Sequence, residues 1–111
     1  HAQDGWDYFK KALEVNPENM RAICGLIQLA NPLNKLAELE QALETYLEFR
    51  PVDLSVLFSY AGCLFAQGKS SLASEQLRKI LVFDPEHKLA NDLLRQIGEQ
   101  PAGNSRPSAT F

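Results

Sequence analysis

The chain has 111 residues, 45% hydrophobic and 23% charged, with a formal net charge of −3 at pH 7. That length suits one domain with a modest core, since about two-thirds of the unfolded surface is buried at this size. The acidic balance speaks against a phosphate-binding basic patch, so no nucleic-acid partner is expected, and no apolar run reaches the roughly 18 residues of a membrane span.

In chain order, the spacing predicts a first helix over residues 3–15, with Trp6, Phe9 and Leu13 on one face. A second helix is expected from Glu18 to Ala30, with Met20, Ile23, Leu26, Ile27 and Ala30 apolar. Gly25 in its interior lowers helix stability by roughly 1 kcal/mol relative to alanine, and a close helix contact is the expected compensation. Asn31-Pro32-Leu33-Asn34 is a connection, with Asn34 placed to cap a third helix over Lys35–Phe49. Arg50-Pro51-Val52-Asp53 is the next turn, Asp53 capping a fourth helix from Leu54 to about Gln67. Gly68 breaks the chain before a fifth helix over about 71–83. Asp84-Pro85-Glu86 reads as the start of a sixth, over about 86–98, with His87 a solvated residue of its first turn. From Glu99 the text is rich in Pro, Gly, Ser and Asn, and a flexible tail is expected over 99–111.

Pro17, Pro51 and Pro85 recur every 34 residues, and Leu57-x2-Tyr60-Ala61-x2-Leu64, Ala73-x3-Leu77, Pro85 is an apolar and small-residue pattern tied to that period. The same pattern is looser one period earlier, as Ile23-x2-Leu26-Ile27-x2-Ala30, Leu39-x3-Leu43, Pro51, and only its second half, Gly5-x3-Phe9, Pro17, appears before that. On these residues the chain resembles the tetratricopeptide repeat (TPR) family over roughly residues 3–98. The resemblance implies an all-α fold of antiparallel helix pairs stacked as a right-handed superhelical solenoid. Its units would be 1–17 (the second helix of a truncated repeat), 18–51 and 52–85 (repeats) and 86–98 (a capping helix). A start at His1 inside a half-repeat reads as a fragment or a processed chain.

Residues that carry chemistry are sparse. The sequence has two histidines and two cysteines and lacks metal-ligand spacing, a glycine-rich phosphate loop or a nucleophile elbow, so neither catalysis nor a cofactor or metal is expected. Cys24 and Cys63 read as small buried hydrophobes, and two unpaired thiols without a signal segment point to a cytoplasmic setting. Glu40, Glu44 and Glu48 form a stripe at four-residue steps; it is either a solvated outer face or a docking strip for a basic partner. Trp6 and Phe9 either stay partly bare, offering an apolar patch for homo-oligomers, or fold onto the second and third helices.

Stacked helix pairs present an extended concave surface, and in the family the first helix of each pair faces it. The resemblance therefore places Arg21, Cys24, Gln28 and Asn31, then Ser55, Phe58, Gly62 and Phe65, then Leu89, Asp92 and Gln96 toward a partner groove. Phe58 and Phe65 stand two helical turns apart with Gly62 between them, two aromatic walls around a gap; alternatively one of them tucks against a neighbouring repeat or the sixth helix. One family subset grips peptide carboxylates with lysine, arginine and asparagine on these faces; here those places hold mainly Ser, Phe, Gly, Cys and Gln with one arginine, so that grip is not expected. The expected function is a protein–protein interaction module that holds a peptide or helix of a partner. The alternatives are an accessory segment of a larger protein such as an enzyme, or a self-assembly module.

Overall fold

The computed structural model describes residues 1–98, so the expected tail lies outside the described residues. These residues are all-helical: α1 Ala2–Val15, α2 Met20–Ala30, α3 Leu36–Phe49, α4 Leu54–Ala66, α5 Ser70–Phe83 and α6 Lys88–Ile97. Each helix packs on its neighbours in the chain. The outcome is elongated, 53 × 25 × 18 Å, with a radius of gyration of 15.3 Å against about 13 Å for a compact chain of this size.

The turns repeat the proline period in their hydrogen bonds. The N–H groups of Asn19, Asp53 and His87 donate to the carbonyls of Asn16, Arg50 and Asp84 at 3.0, 3.3 and 3.1 Å. The same three residues cap the helices that follow. Asn19 Oδ1 accepts from Ala22 N at 3.0 Å, Asp53 Oδ1 from Val56 N at 3.2 Å and His87 Nδ1 from Ala90 N at 3.1 Å. Each cap satisfies an N–H that the first helical turn leaves without a partner. Pro17, Pro51 and Pro85 sit inside these turns, where a missing N–H costs nothing.

Two boundary expectations are corrected by these bonds. His87 is not a solvated residue within α6; it is the N-cap, and Asp84 closes the preceding turn instead. Likewise α2 starts at Met20 rather than Glu18. The reason is the same in both cases: the turn spends two more residues after proline before the helix begins.

The other turns also correspond. Asn34 and Gly68 are 34 apart and both left-handed, with φ of 58° and 81°. The next residue closes the helix end in each: Lys35 N donates to Ala30 O at 2.8 Å and Lys69 N to Leu64 O at 2.9 Å. Asn34 therefore terminates α2 and does not cap α3, whose N-cap position is Lys35 without a side-chain bond. Asparagine tolerates this conformation better than other side chains do, which is why it can stand where the second turn uses glycine.

Burial falls into two clusters that share α4 as a wall. Val56 and Cys63 of α4 join Trp6, Ile23, Leu26 and Leu43 in the first. Leu57 and Ala61 join Leu77, Ile80 and Leu94 in the second. A helix apolar on both sides belongs between neighbours. Trp6 is 1% exposed and packs in the first cluster, with the Lys35 ammonium 5.8 Å from its ring centre. It is thus not part of an exposed patch, and folds inward.

Gly25 receives the close contact expected of it. A Cβ built there would overlap the Phe9 ring of α1. The approach of α1 to α2 depends on that missing methyl group.

Candidate partner-docking face

On α2, Arg21, Cys24 and Gln28 are exposed, as is Asn31 at its end. The exposure of Cys24 corrects the expectation of two buried cysteines. Cys63 alone is buried; its thiol donates to Leu36 O at 3.3 Å, and burial and then the nearby Glu40 push its pKa up. The two cysteines differ because Cys24 faces outward from its helix while Cys63 falls on the side of α4 that meets the first cluster.

On α4, Ser55 is exposed, while Phe58, Gly62 and Phe65 are half-buried. Among the described residues, and apart from its chain neighbours and the adjoining helix backbone, no atom lies within 4 Å of a Cβ built on Gly62, so the gap between the two phenylalanines is open. Phe58 is partly engaged: it packs against the second cluster, and its ring lies 5.9 Å from the His87 ring at a tilt of 31°. The same histidine thus caps α6 and backs one wall of the gap. Phe58 is to that extent the phenylalanine that tucks against the base of the sixth helix.

On α6, Leu89 is 57% exposed and Gln96 is exposed. Asp92 is held by Lys88 Nζ at 3.0 Å and Arg95 Nη1 at 2.9 Å. The Lys88 hydrogen bond, with Arg95 behind it, keeps the Asp92 carboxyl below the usual carboxylate range. Asp92 is therefore an occupied acceptor, less available to a partner than its position alone suggests.

The acidic stripe is largely committed within the fold. Glu40 Oε1 accepts from Lys69 Nζ at 2.8 Å and Gln67 Nε2 at 2.9 Å, and Glu44 Oε2 accepts from Tyr60 Oη at 2.8 Å. These bonds tie α3 to α4 and the turn after it. Burial, then the Glu44 hydrogen bond, pushes the Tyr60 hydroxyl's pKa well up from its ordinary 10.0. Glu48 alone of the three is exposed without such a tie among the described residues.

Sequence reasoning missed two hollows between successive second helices. One, of about 330 Å3, is bordered by Lys10, Leu13, Glu14 and Pro17 of α1 and its turn, with Leu26 and Tyr46 in its floor and far wall. The other, of about 340 Å3, is bordered by Glu44, Leu47, Glu48 and Pro51, with Leu57, Tyr60 and Lys79. Seven of the eight bordering residues of the first, all but Tyr46, reappear 34 positions on in the second, so these are one feature occurring twice. The signal was present as Leu13-Glu14-x2-Pro17 and Leu47-Glu48-x2-Pro51.

Among the described residues no three His, Cys, Asp or Glu side chains converge as metal ligands do, and no helix is long and apolar enough to cross a membrane. No model of a known protein family matches the chain, and no curated protein matches it.

Proposed function

We propose that this chain is a tetratricopeptide-type module that holds an apolar side chain of a partner peptide or helix on the face formed by α2, α4 and α6. The units would be the helix pairs α2–α3 and α4–α5, flanked by α1 and α6 and stacked as a right-handed solenoid. The repetition of cap, turn and left-handed residue every 34 positions supports the stacked-unit part of this reading.

The observation that carries the docking reading is the open space over Gly62. A helix interior gains roughly 1 kcal/mol when glycine becomes alanine, and nothing in the fold stands in the way at this site. A glycine at a position where the fold has space for a side chain leaves that space for a side chain of a partner. Phe58 and Phe65 wall that room with half-buried aromatic surface, the kind of anchor pocket that dominates peptide recognition.

Affinity capture with the wild-type chain, Gly62→Leu and Phe65→Ala tests it. Gly62→Leu fills the gap without removing a contact, so the folded state is kept while partner retention falls, by roughly tenfold or more for an anchor pocket. Partners retained undiminished by both folded variants would overturn the reading.

A further inference from the structure

None of the residues placed toward the groove of α2, α4 and α6 lines either of the two repeated hollows. The second hollow is bordered only by α3, the turn after it, α4 and α5, and each of these helices packs between a preceding and a following neighbour. Its opening is therefore a property of the middle of the row, and the first hollow repeats it one period earlier. The walls are apolar at matching places: Leu13 and Leu47 are half-buried in them, beside Pro17 and Pro51. Apolar surface left in a concave place is surface that a partner can cover.

Charge selects what covers it. The helices α1, α3 and α5 hold eight acids against four bases, a balance of −4, whereas α2, α4 and α6 hold one acid against three bases, a balance of +2. The ridge between the two hollows is α3, with four glutamates and neither lysine nor arginine. Glu38, Glu40 and Glu44 are engaged by Lys35, Lys69 and Tyr60. Glu14 and Glu48, 34 residues apart and each three before a turn proline, are exposed and have neither a hydrogen bond nor an ion pair among the described residues.

Bases near the hollows are fewer. Lys10 is drawn to Glu38 at 3.9 Å, and Arg50, at the turn, to Glu18 at 3.9 Å. Lys79 lines the α5 wall of the second hollow, where the first has Thr45, and offsets part of the pull of Glu44 and Glu48. An acidic segment laid across both hollows would meet like charge along α3, while a basic one meets Glu14 and Glu48. We infer that the paired hollows dock a basic amphipathic segment of a partner protein, which seats one apolar side chain in each and sets a lysine or arginine against Glu14 and Glu48. Affinity then comes from the apolar groups and the choice of partner from charge.

NMR of the isotope-labelled chain, titrated to about 1 mM, the range of weak binding, with a short capped peptide of leucine and lysine reads the site residue by residue. The expected result is a set of shifts at Leu13, Glu14 and Thr45 and at Leu47, Glu48 and Lys79, and none with the same peptide carrying glutamate for lysine. Thr45→Trp and Lys79→Trp, at exposed rim positions, plug the first and the second hollow, and each removes the shifts of its own hollow with helix content unchanged. For Lys79→Trp the loss comes although a repelling charge has gone, which isolates the apolar anchor. Glu14→Lys with Glu48→Lys weakens binding about tenfold or more, and added salt weakens it in the wild type. Glu86→Lys, the same charge change outside both hollows, leaves it alone. No shift at either hollow, equal binding of the glutamate peptide, indifference to the plugged rims, or an equal loss in Glu86→Lys would each overturn the proposal. Shifts of the same residues on concentrating the chain without peptide would make a second copy the occupant, and would overturn it as well. The residues that report are not those around Gly62, so failure here is distinct from failure of the docking face.

Discussion

The helices α2 and α4 each carry an interior glycine, and the two do opposite things. At Gly25 the absent side chain is replaced by the Phe9 ring of α1, and at Gly62 it is replaced by nothing. Both glycines weaken their own helix by a similar intrinsic amount. In α2 the loss is offset by contact with a neighbouring helix. In α4 no neighbour supplies an offset, so the vacancy faces outward between Phe58 and Phe65. A glycine in a helix is thus a packing device in one place and an unfilled position in the other, and only the surroundings tell them apart.

The largest effect expected is at the filled site. Gly25→Ala forces the Phe9 ring to move, and overpacking of this kind costs about 1–3 kcal/mol, more than the helix-propensity gain returns. Denaturant unfolding measures it, and Phe9→Leu in the same chain should recover part of the loss through a coupling of the two positions. Equal stability of Gly25→Ala and wild type would break the contrast. At the open site the sign reverses: Gly62→Ala should stabilise the chain by about 1 kcal/mol, and a destabilised variant would mean the space is not free.

The turns offer the same kind of contrast on a smaller scale. Gly68 and Asn34 hold one conformation with different residues, so Gly68→Ala should cost about 1–2 kcal/mol while Asn34→Gly should be neutral or stabilising by about 0.5 kcal/mol. Ser74 is a further point, buried in α5 with no hydrogen-bond partner for its hydroxyl among the described residues. Ser74→Ala leaves no acceptor orphaned and should raise the unfolding midpoint by an amount comparable to one unmade hydrogen bond, about 1 kcal/mol.

A last expectation concerns pH. Burial and Glu44 raise the Tyr60 pKa, and burial and Asp53 that of Tyr46, above their unfolded value of 10.0. Neutral tyrosine is thus favoured in the fold, so the contribution is whole below about pH 10 and is lost as pH rises toward the folded values. Tyr60→Phe should flatten the alkaline loss of stability measured by circular dichroism, and an unchanged alkaline profile would show that Tyr60 is not a source of it.

Much of this architecture was legible from local pattern. The apolar steps of three and four residues placed all six helices to within two residues at either end, because helix periodicity is written in the chain itself. The Asp53 cap and the turn at Gly68 were readable from local sequence too, whereas the left-handed conformation at Gly68 and Asn34 came from the structure. The docking face proposed on α2, α4 and α6 rests on the 34-residue period, since nothing local distinguishes Phe65 from a core phenylalanine. The two hollows beside Pro17 and Pro51 escaped notice because an empty space between helices has no residue of its own.

What the sequence by itself determined is therefore the set of helices, their stripes and the recurring proline turns, all properties of contacts a few residues apart. What only the tertiary structure decided is the use made of particular side chains: Trp6 inward and Tyr8 outward on α1, Cys24 exposed and Cys63 buried, His87 as a cap backing Phe58, Glu40 and Glu44 tied to α4, Gly25 filled and Gly62 open. Each depends on which neighbouring helix lies over the residue and how closely, a relation between positions distant in the chain that no short window of sequence contains.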